Sequence, residues 1–266
     1  MTLRHDIAPP SLCAAGVEVR ERAPYSILAS LYDTLMWHVD YVKWADYLIR
    51  ISERFKVPSG VWCEGGCGTG SIALRIARFK HQVCGFDQSA EMVEAAKKKA
   101  EEHSFHIPFD VADFRNFSYN NLAYLFVVYD GLNYLLELSE LEQFLANASA
   151  SLQPDGLLVF DMCTEHNSVS NLNDWFDHYK RNGVEYRRHS WFDAERSLHH
   201  NDFEVRRDDE PNIVYIENHV QRIYPLDEMK KLIARSDFRL VVTLGDVGFS
   251  PGTEHNDRVH FIVRKK

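Results

Sequence analysis

The sequence predicts an α/β protein, a doubly wound and mostly parallel sheet with a helical N-terminal segment and an inserted antiparallel β-layer. Three observations carry this. Short apolar runs alternate with helical patterns over residues 61–163, the strand-helix-strand rhythm that builds a parallel sheet. The first run ends at Glu64 and is followed by Gly66, Gly68 and Gly70, then by helical spacing over 71–79, so a glycine-rich turn opens onto a helix N-terminus. After Cys163 the pattern changes to period-two alternation over 185–192, 197–206 and 212–224, with Asp-rich turns between, as antiparallel strands require.

In chain order, residues 1–22 are polar and aperiodic with a Pro9-Pro10 pair, which predicts a flexible arm. One domain is expected over 23–266. Within 24–56, Ile27, Leu28, Leu31 and Leu35, then Val42, Ala45, Tyr47, Leu48 and Ile51, recur at helical spacing; they predict two helices hinged near 38–40 that lie as a lid over the glycine turn. Strands are expected at 61–64, 82–87, 106–111, 124–129 and 157–163, and helices at 71–79, 89–102 and 139–152. Ser89, and Ser139 with Glu142, supply helix-start signals, and Pro154-Asp155-Gly156 turns the chain into the fifth strand. The insertion spans 164–225. The core rhythm then returns with a helix at 226–236 and a closing strand pair at 238–244 and 258–264.

Composition narrows the function. No stretch approaches the roughly 20 apolar residues of a membrane span, and Arg4, His5 and Asp6 have no apolar run behind them, so no membrane association and a cytoplasmic location are expected. A net charge of -9 disfavours nucleic acid as partner. The one basic run, Lys97, Lys98 and Lys99, sits among Glu91, Glu94, Glu101 and Glu102 and reads as a solvated helix face. Five cysteines, with no C-x-x-C pair, fit reduced thiols, three of them in the core. The 13 histidines show no metal-ligand spacing, and no metal is expected.

A glycine-rich turn at a helix N-terminus suits a polar, nucleoside-sized ligand, because backbone amides can approach it closely. Asp87 ends the second strand, where a carboxylate can accept the two hydroxyls of a ribose. The glycine spacing departs from G-x-G-x-x-G, since Ser71 stands where the third glycine of a nucleotide-dependent oxidoreductase would be.

The run Glu64-x-Gly66-x-Gly68-x-Gly70, with Asp87-Gln88-Ser89-Ala90-Glu91-Met92 one strand later, resembles class I S-adenosylmethionine (SAM) dependent methyltransferases of the small-molecule type, similar to glycine N-methyltransferase and sugar-amine N-methyltransferases. The match covers residues 24–163 and 226–264 in the family's order; Gly65 in place of a bulky apolar residue and Glu64 in place of Asp are mild departures. The resemblance implies a Rossmann-like, seven-stranded sheet with an antiparallel last strand, SAM as cofactor and S-adenosylhomocysteine (SAH) as product. It further implies that Glu64, Gly66, Gly68, Gly70, Asp87, Gln88 and Met92 hold the cofactor, that Asp113 accepts the adenine amino group while Phe114 packs on the ring, and that Tyr129 completes the site. Tyr25, Tyr32 and Trp44 of the lid would close over the methionine end.

The loop Tyr129-Asp130-Gly131-Leu132-Asn133-Tyr134-Leu135 resembles the segment beside the reacting atoms. Asn133 would orient the acceptor or cap the next turn, and Asp130 and Tyr134 would contact substrate. In the insertion, Glu217-x-His219-x-Gln221 puts three polar side chains on one strand face. Glu217, His219 and Arg222 are the acceptor-cavity candidates, and His219 or Asp130 could take the proton of a hydroxyl acceptor. The expected activity is methyl transfer to an N or O atom of a small molecule by in-line displacement. Weighed beside it are a tRNA-modifying methyltransferase, a carboxylated-SAM enzyme, a non-catalytic SAM-binding regulator and the oxidoreductase; a homodimer is left open.

Overall fold

The computed structural model describes residues 17–181 and 183–266. The chain there begins with strand β1 (Glu18–Arg22), a 3-10 turn (Leu28–Ser30) and helices α1 (Tyr32–Leu35) and α2 (Tyr41–Arg54). The alternating region follows as β2 (Val61–Gly65), α3 (Ser71–Arg78), β3 (Val83–Asp87), α4 (Ala90–Glu102), β4 (Phe109–Val111), β5 (Leu122–Val127), a second 3-10 turn (Gly131–Tyr134), α5 (Leu138–Ser151) and β6 (Leu152–Cys163). Helix α6 (Glu165–Ser170) leads to β7 (Trp175–Arg181), β8 (Val184–Asp193), β9 (Leu198–Arg207) and β10 (Ile213–Arg222). Helix α7 (Leu226–Arg235) and strands β11 (Phe238–Gly245) and β12 (Arg258–Lys265) close the chain.

The larger sheet has seven strands in the order β11-β12-β6-β5-β2-β3-β4. Strands β2 to β6 pair in parallel, and β12 runs antiparallel to both β6 and β11. Every residue of β5 is buried, as a central parallel strand covered on both faces must be. One face packs on α5 and α7 through Phe144, Leu145, Met229 and Leu232, the other on α2 and α3 through Trp44, Leu48, Ile51 and Ile76. Local chemistry sets the helix starts: Ser89 Oγ accepts from the Met92 amide, Asp40 from the Lys43 amide, and Glu137 with Glu140 forms a capping box. Because the parallel strands all end at one edge, the turns after β2, β3, β4 and β5 meet there.

A second sheet, in the order β1-β10-β9-β8-β7, is built from the insertion plus one strand from before the lid. Of the predicted arm, 1–16 lie outside the described residues, whereas Glu18–Arg22 form β1, paired in parallel with Ile213–Glu217. Its sequence, EVRER, carries no alternating apolar signal; what draws it in is the open edge of β10, whose backbone groups need partners. Strand β7 also escaped prediction, since its side chains are mostly half-buried or exposed. The lid is less helical than expected: its first half is a 3-10 turn and the single-turn α1, and only α2 is long. Among the described residues no helix is long and apolar enough to cross a membrane.

Candidate active site

The glycine turn is a backbone cradle. Gly66, Gly68 and Gly70 all take left-handed conformations, at φ of 66°, 52° and 73°. A Cβ on Gly68 would meet only the edge of Tyr32, 3.7 Å away, so the space over this glycine is open. A Cβ on Gly70 would lie 2.8 Å from Phe109 and 3.0 Å from Ala96, so this glycine is required for α3 to pack on β4 and α4. The Gly68 amide donates to Asp87 Oδ2 at 2.8 Å and the Ser89 amide to Oδ1 at 2.9 Å, which ties the turn to the end of β3. Burial raises the Asp87 carboxyl while these amides lower it. A carboxylate has about four acceptor positions, so two remain for a diol.

Glu64 is buried one turn below, accepting from the Ala73 amide at 2.9 Å, and burial pushes its carboxyl up to about 8. A cationic amine above the turn would favour the ionised form. Phe114 lies beneath the turn, where a Cβ on Gly66 would come within 3.0 Å of its ring, and Asp113 forms a two-point pair with Arg115 that keeps its carboxylate below the usual range. An open glycine turn, a diol acceptor, an apolar wall and a buried acid together fit the polar and apolar parts of SAM. Gln88 is exposed beside Asp87, while Met92 is packed in the core.

The loop after β5 is strained and clamped. Tyr129 and Asp130 both sit at left-handed φ, 69° and 64°, a conformation that costs side-chain-bearing residues energy. Asp161 holds them there by accepting both amides at 3.0 Å. Arg258 grips Asp130 through two bonds of 3.0 and 2.6 Å, lies 3.1 Å from Asp161 and stacks over Tyr129 at 4.6 Å and Trp44 at 5.6 Å. The Asp130 charge is thus spent on Arg258 instead of facing an acceptor as a free base. Asn133 is fully buried; its Nδ2 donates to the Arg222 carbonyl and its Oδ1 accepts from the Cys163 amide, so it clamps backbone, with neither end free for a substrate.

On the other side, one chain of hydrogen bonds links lid, loop and insertion. Glu217 is fully buried and accepts from the backbone amides of Tyr25, Ile27 and Leu28, anchoring the start of the lid. His219 Nε2 lies 3.0 Å from Glu217 Oε2, His219 Nδ1 lies 2.9 Å from Tyr134 Oη, and Tyr134 Oη lies 2.7 Å from Tyr25 Oη. A carboxylate can only accept, so Nε2 carries the His219 proton, Nδ1 accepts from Tyr134, and Tyr134 accepts from Tyr25. Burial raises both phenols well above their usual range, which keeps them protonated. Arg222 points away from this group, to the Leu136 carbonyl at 2.9 Å, because alternation along β10 puts it on the opposite face.

Two groups escaped the sequence reading. Lys99 is no solvated lysine: it reaches Asp33 of α1 at 2.7 Å, with Thr69 and Ser71 of the glycine turn also at 2.7 Å, and latches lid to turn. Arg258 lies far along the chain on β12, where only the antiparallel register opposite Cys163 brings it to the loop. Neither carries a local motif. No group of three or more His, Cys, Asp or Glu able to hold a metal ion gathers among the described residues.

The chain is similar to several known proteins. The family model described as "Methyltransferase domain" matches residues 63–156. A protein of Geobacillus sp. (strain WCH70), provisionally named a methyltransferase, is 29% identical over 250 residues, covering 91% of this chain and 99% of that one. A SAM-dependent methyltransferase from Clostridium acetobutylicum ATCC 824 superposes with a TM-score of 0.78 at 20% identity, over 91% of this chain and 98% of that one. The sugar N-methyltransferase of Streptoalloteichus sp ATCC 53650 gives a TM-score of 0.71 at 16% identity, over 98% and 100%.

Proposed function

We propose that this chain is a class I SAM-dependent methyltransferase, as the methyltransferase-domain match, its relatives and its fold support, and that its acceptor atom is a nitrogen of a small polar amine. The observation that carries the reading is the chain from Tyr25 through Tyr134 and His219 to Glu217. Bound SAM supplies a methyl group on a positively charged sulfur, which leaves as a neutral thioether. In-line displacement then requires alignment, dryness and a nitrogen lone pair in the direction of the methyl. The lid excludes water by closing on the insertion through Glu217 and on the loop after β5 through the Tyr25–Tyr134 contact.

An amine that arrives as an ammonium must lose a proton before it can attack. Tyr25 Oη has an unused lone pair and is the group of the chain next to the cleft; it takes that proton while its own passes to Tyr134 and the Tyr134 proton passes to His219 Nδ1. The resulting imidazolium is paired with Glu217, so no charge is left bare. Because both phenols stay protonated at rest, the proton comes to lie on His219, beside the Glu217 carboxylate. An acidic phenol could use the same chain, which makes oxygen the second reading. The sugar N-methyltransferase of like fold supports the amine.

The test is a panel of small amines and phenols with labelled methyl donor. Amines turned over, with Tyr134→Phe lowering kcat about ten- to a hundredfold while SAH affinity and KM hold, would support the reading. Phenols alone turned over, or a Tyr134→Phe variant with unchanged kcat and pH profile, would overturn it.

A further inference from the structure

Strand alternation and pairing place Arg188 on the face of the second sheet that carries Glu217 and His219. The register aligns Asp177, Arg188, Phe203 and Glu217 in one cross-strand row, and Trp175, Ser190, Asn201 and His219 in the next. Phe203 packs 5.1 Å from His219, and the Arg188 guanidinium lies over Phe203 at 5.7 Å and Trp175 at 4.3 Å. Its charge acts on Tyr129 of the loop after β5 and on Tyr25 of the lid.

Within the described residues this arginine is short of partners. Its Nε is buried with no hydrogen-bond acceptor, and its nearest carboxylate, Asp177, stands 3.8 Å off with the same oxygen already accepting from Tyr186 at 2.5 Å. Yet 26% of the side chain is accessible, so the side chain is covered over most of its surface but not all of it. A buried donor left unpaired is costly, and an aromatic sandwich holds a planar fork in position without neutralising it. Burial works against its charge, a penalty that an incoming anion would offset.

We propose that Arg188 is the anchor of the acceptor pocket and that the acceptor carries a carboxylate, gripped by the guanidinium while its nucleophilic atom faces Tyr25. A single guanidinium with only Asp177 nearby suits a monoanion. The rings of Trp175 and Phe203 give the acceptor's carbon body an apolar wall. This inference rests on the small-molecule reading above and specifies its substrate class.

The test uses the full chain saturated with SAH and titrates acetate, benzoate, benzamide and inorganic phosphate by calorimetry. Expected are binding of a carboxylate, at least about tenfold weaker binding of benzamide than of benzoate, and a loss of about ten- to a hundredfold in carboxylate affinity in Arg188→Met. Arg188→Lys should retain part of it, and SAH affinity, which also reports folding, should stay within about twofold in both variants. Equal binding of benzoate and benzamide, no carboxylate binding, phosphate bound more tightly than carboxylate, or an unaffected Arg188→Met would each overturn the proposal. Because binding is read and not turnover, a carboxylate held through Arg188 by a protein that methylates no amine would sink the nitrogen reading alone.

Discussion

The two halves of the site are made of different material. The proposed cofactor half is backbone: three left-handed glycines, the amides of Gly68 and Ser89, and one carboxylate at the end of β3, all within Glu64 to Ser89. The proposed acceptor half is side chains brought from the lid, the loop after β5 and the second sheet, and its central link, Tyr25 to Glu217, joins residues 192 apart in the chain. A backbone site is broken by adding atoms, whereas a side-chain site is broken by removing them.

The largest expected effect follows from adding atoms. Gly70→Val must force a Cβ into Phe109 and Ala96 and a branched residue into a left-handed conformation, at a cost of about 3 kcal/mol or more. Urea melts should show the loss, and SAH binding should disappear even below the unfolding transition. Next comes removal from the other half. Glu217→Ala leaves the amides of Tyr25, Ile27 and Leu28 and His219 Nε2 without an acceptor, which should cost about 3 kcal/mol. Hydrogen exchange should speed up over 24–31 while the amides of α3 stay protected; uniform acceleration would show the halves to be less separate than their geometry implies.

The smallest effect tests where the cofactor half does use a side chain. Glu64 has a folded pKa raised by burial to about 8, above its unfolded value, so the fold favours its neutral form. That favour is complete below the ordinary carboxylate range, and stability is lost as pH rises from there through about 8. Glu64→Gln should therefore raise the Tm of the cofactor-free protein above pH 8, by about 2–4 °C for each kcal/mol relieved, with little change near pH 4. It should also weaken SAH binding. A Tm gain independent of pH would mean that the charge is not the cause.

The same division decides what the sequence could disclose. The parallel sheet, the glycine turn and Asp87 were legible because each lies in a contiguous stretch whose spacing has one physical reading. The acceptor half was legible only as a set of candidates. Glu217 and His219 were picked out by alternation on β10, but alternation does not say that Glu217 faces lid amides, or that His219 reaches cleft only through Tyr134 and Tyr25. Asn133 was left between acceptor and structural roles, and the geometry makes it a clamp. Arg188, Lys99 and Arg258 gave no local signal, since their meaning comes from pairing partners distant in the chain. Strand β1 was missed for the same reason.

That strand bears on the order in which the molecule can assemble. Among the described residues its one ladder is parallel to β10, so there residues 18–22 find their partner when residues 213–217 exist. On a chain emerging from the ribosome, β2 to β6 and their helices can collapse while the lid still hangs open, since contacts of long sequence separation form last. The cleft floor is therefore ready before its roof, and closing that roof is among the final events of biosynthesis.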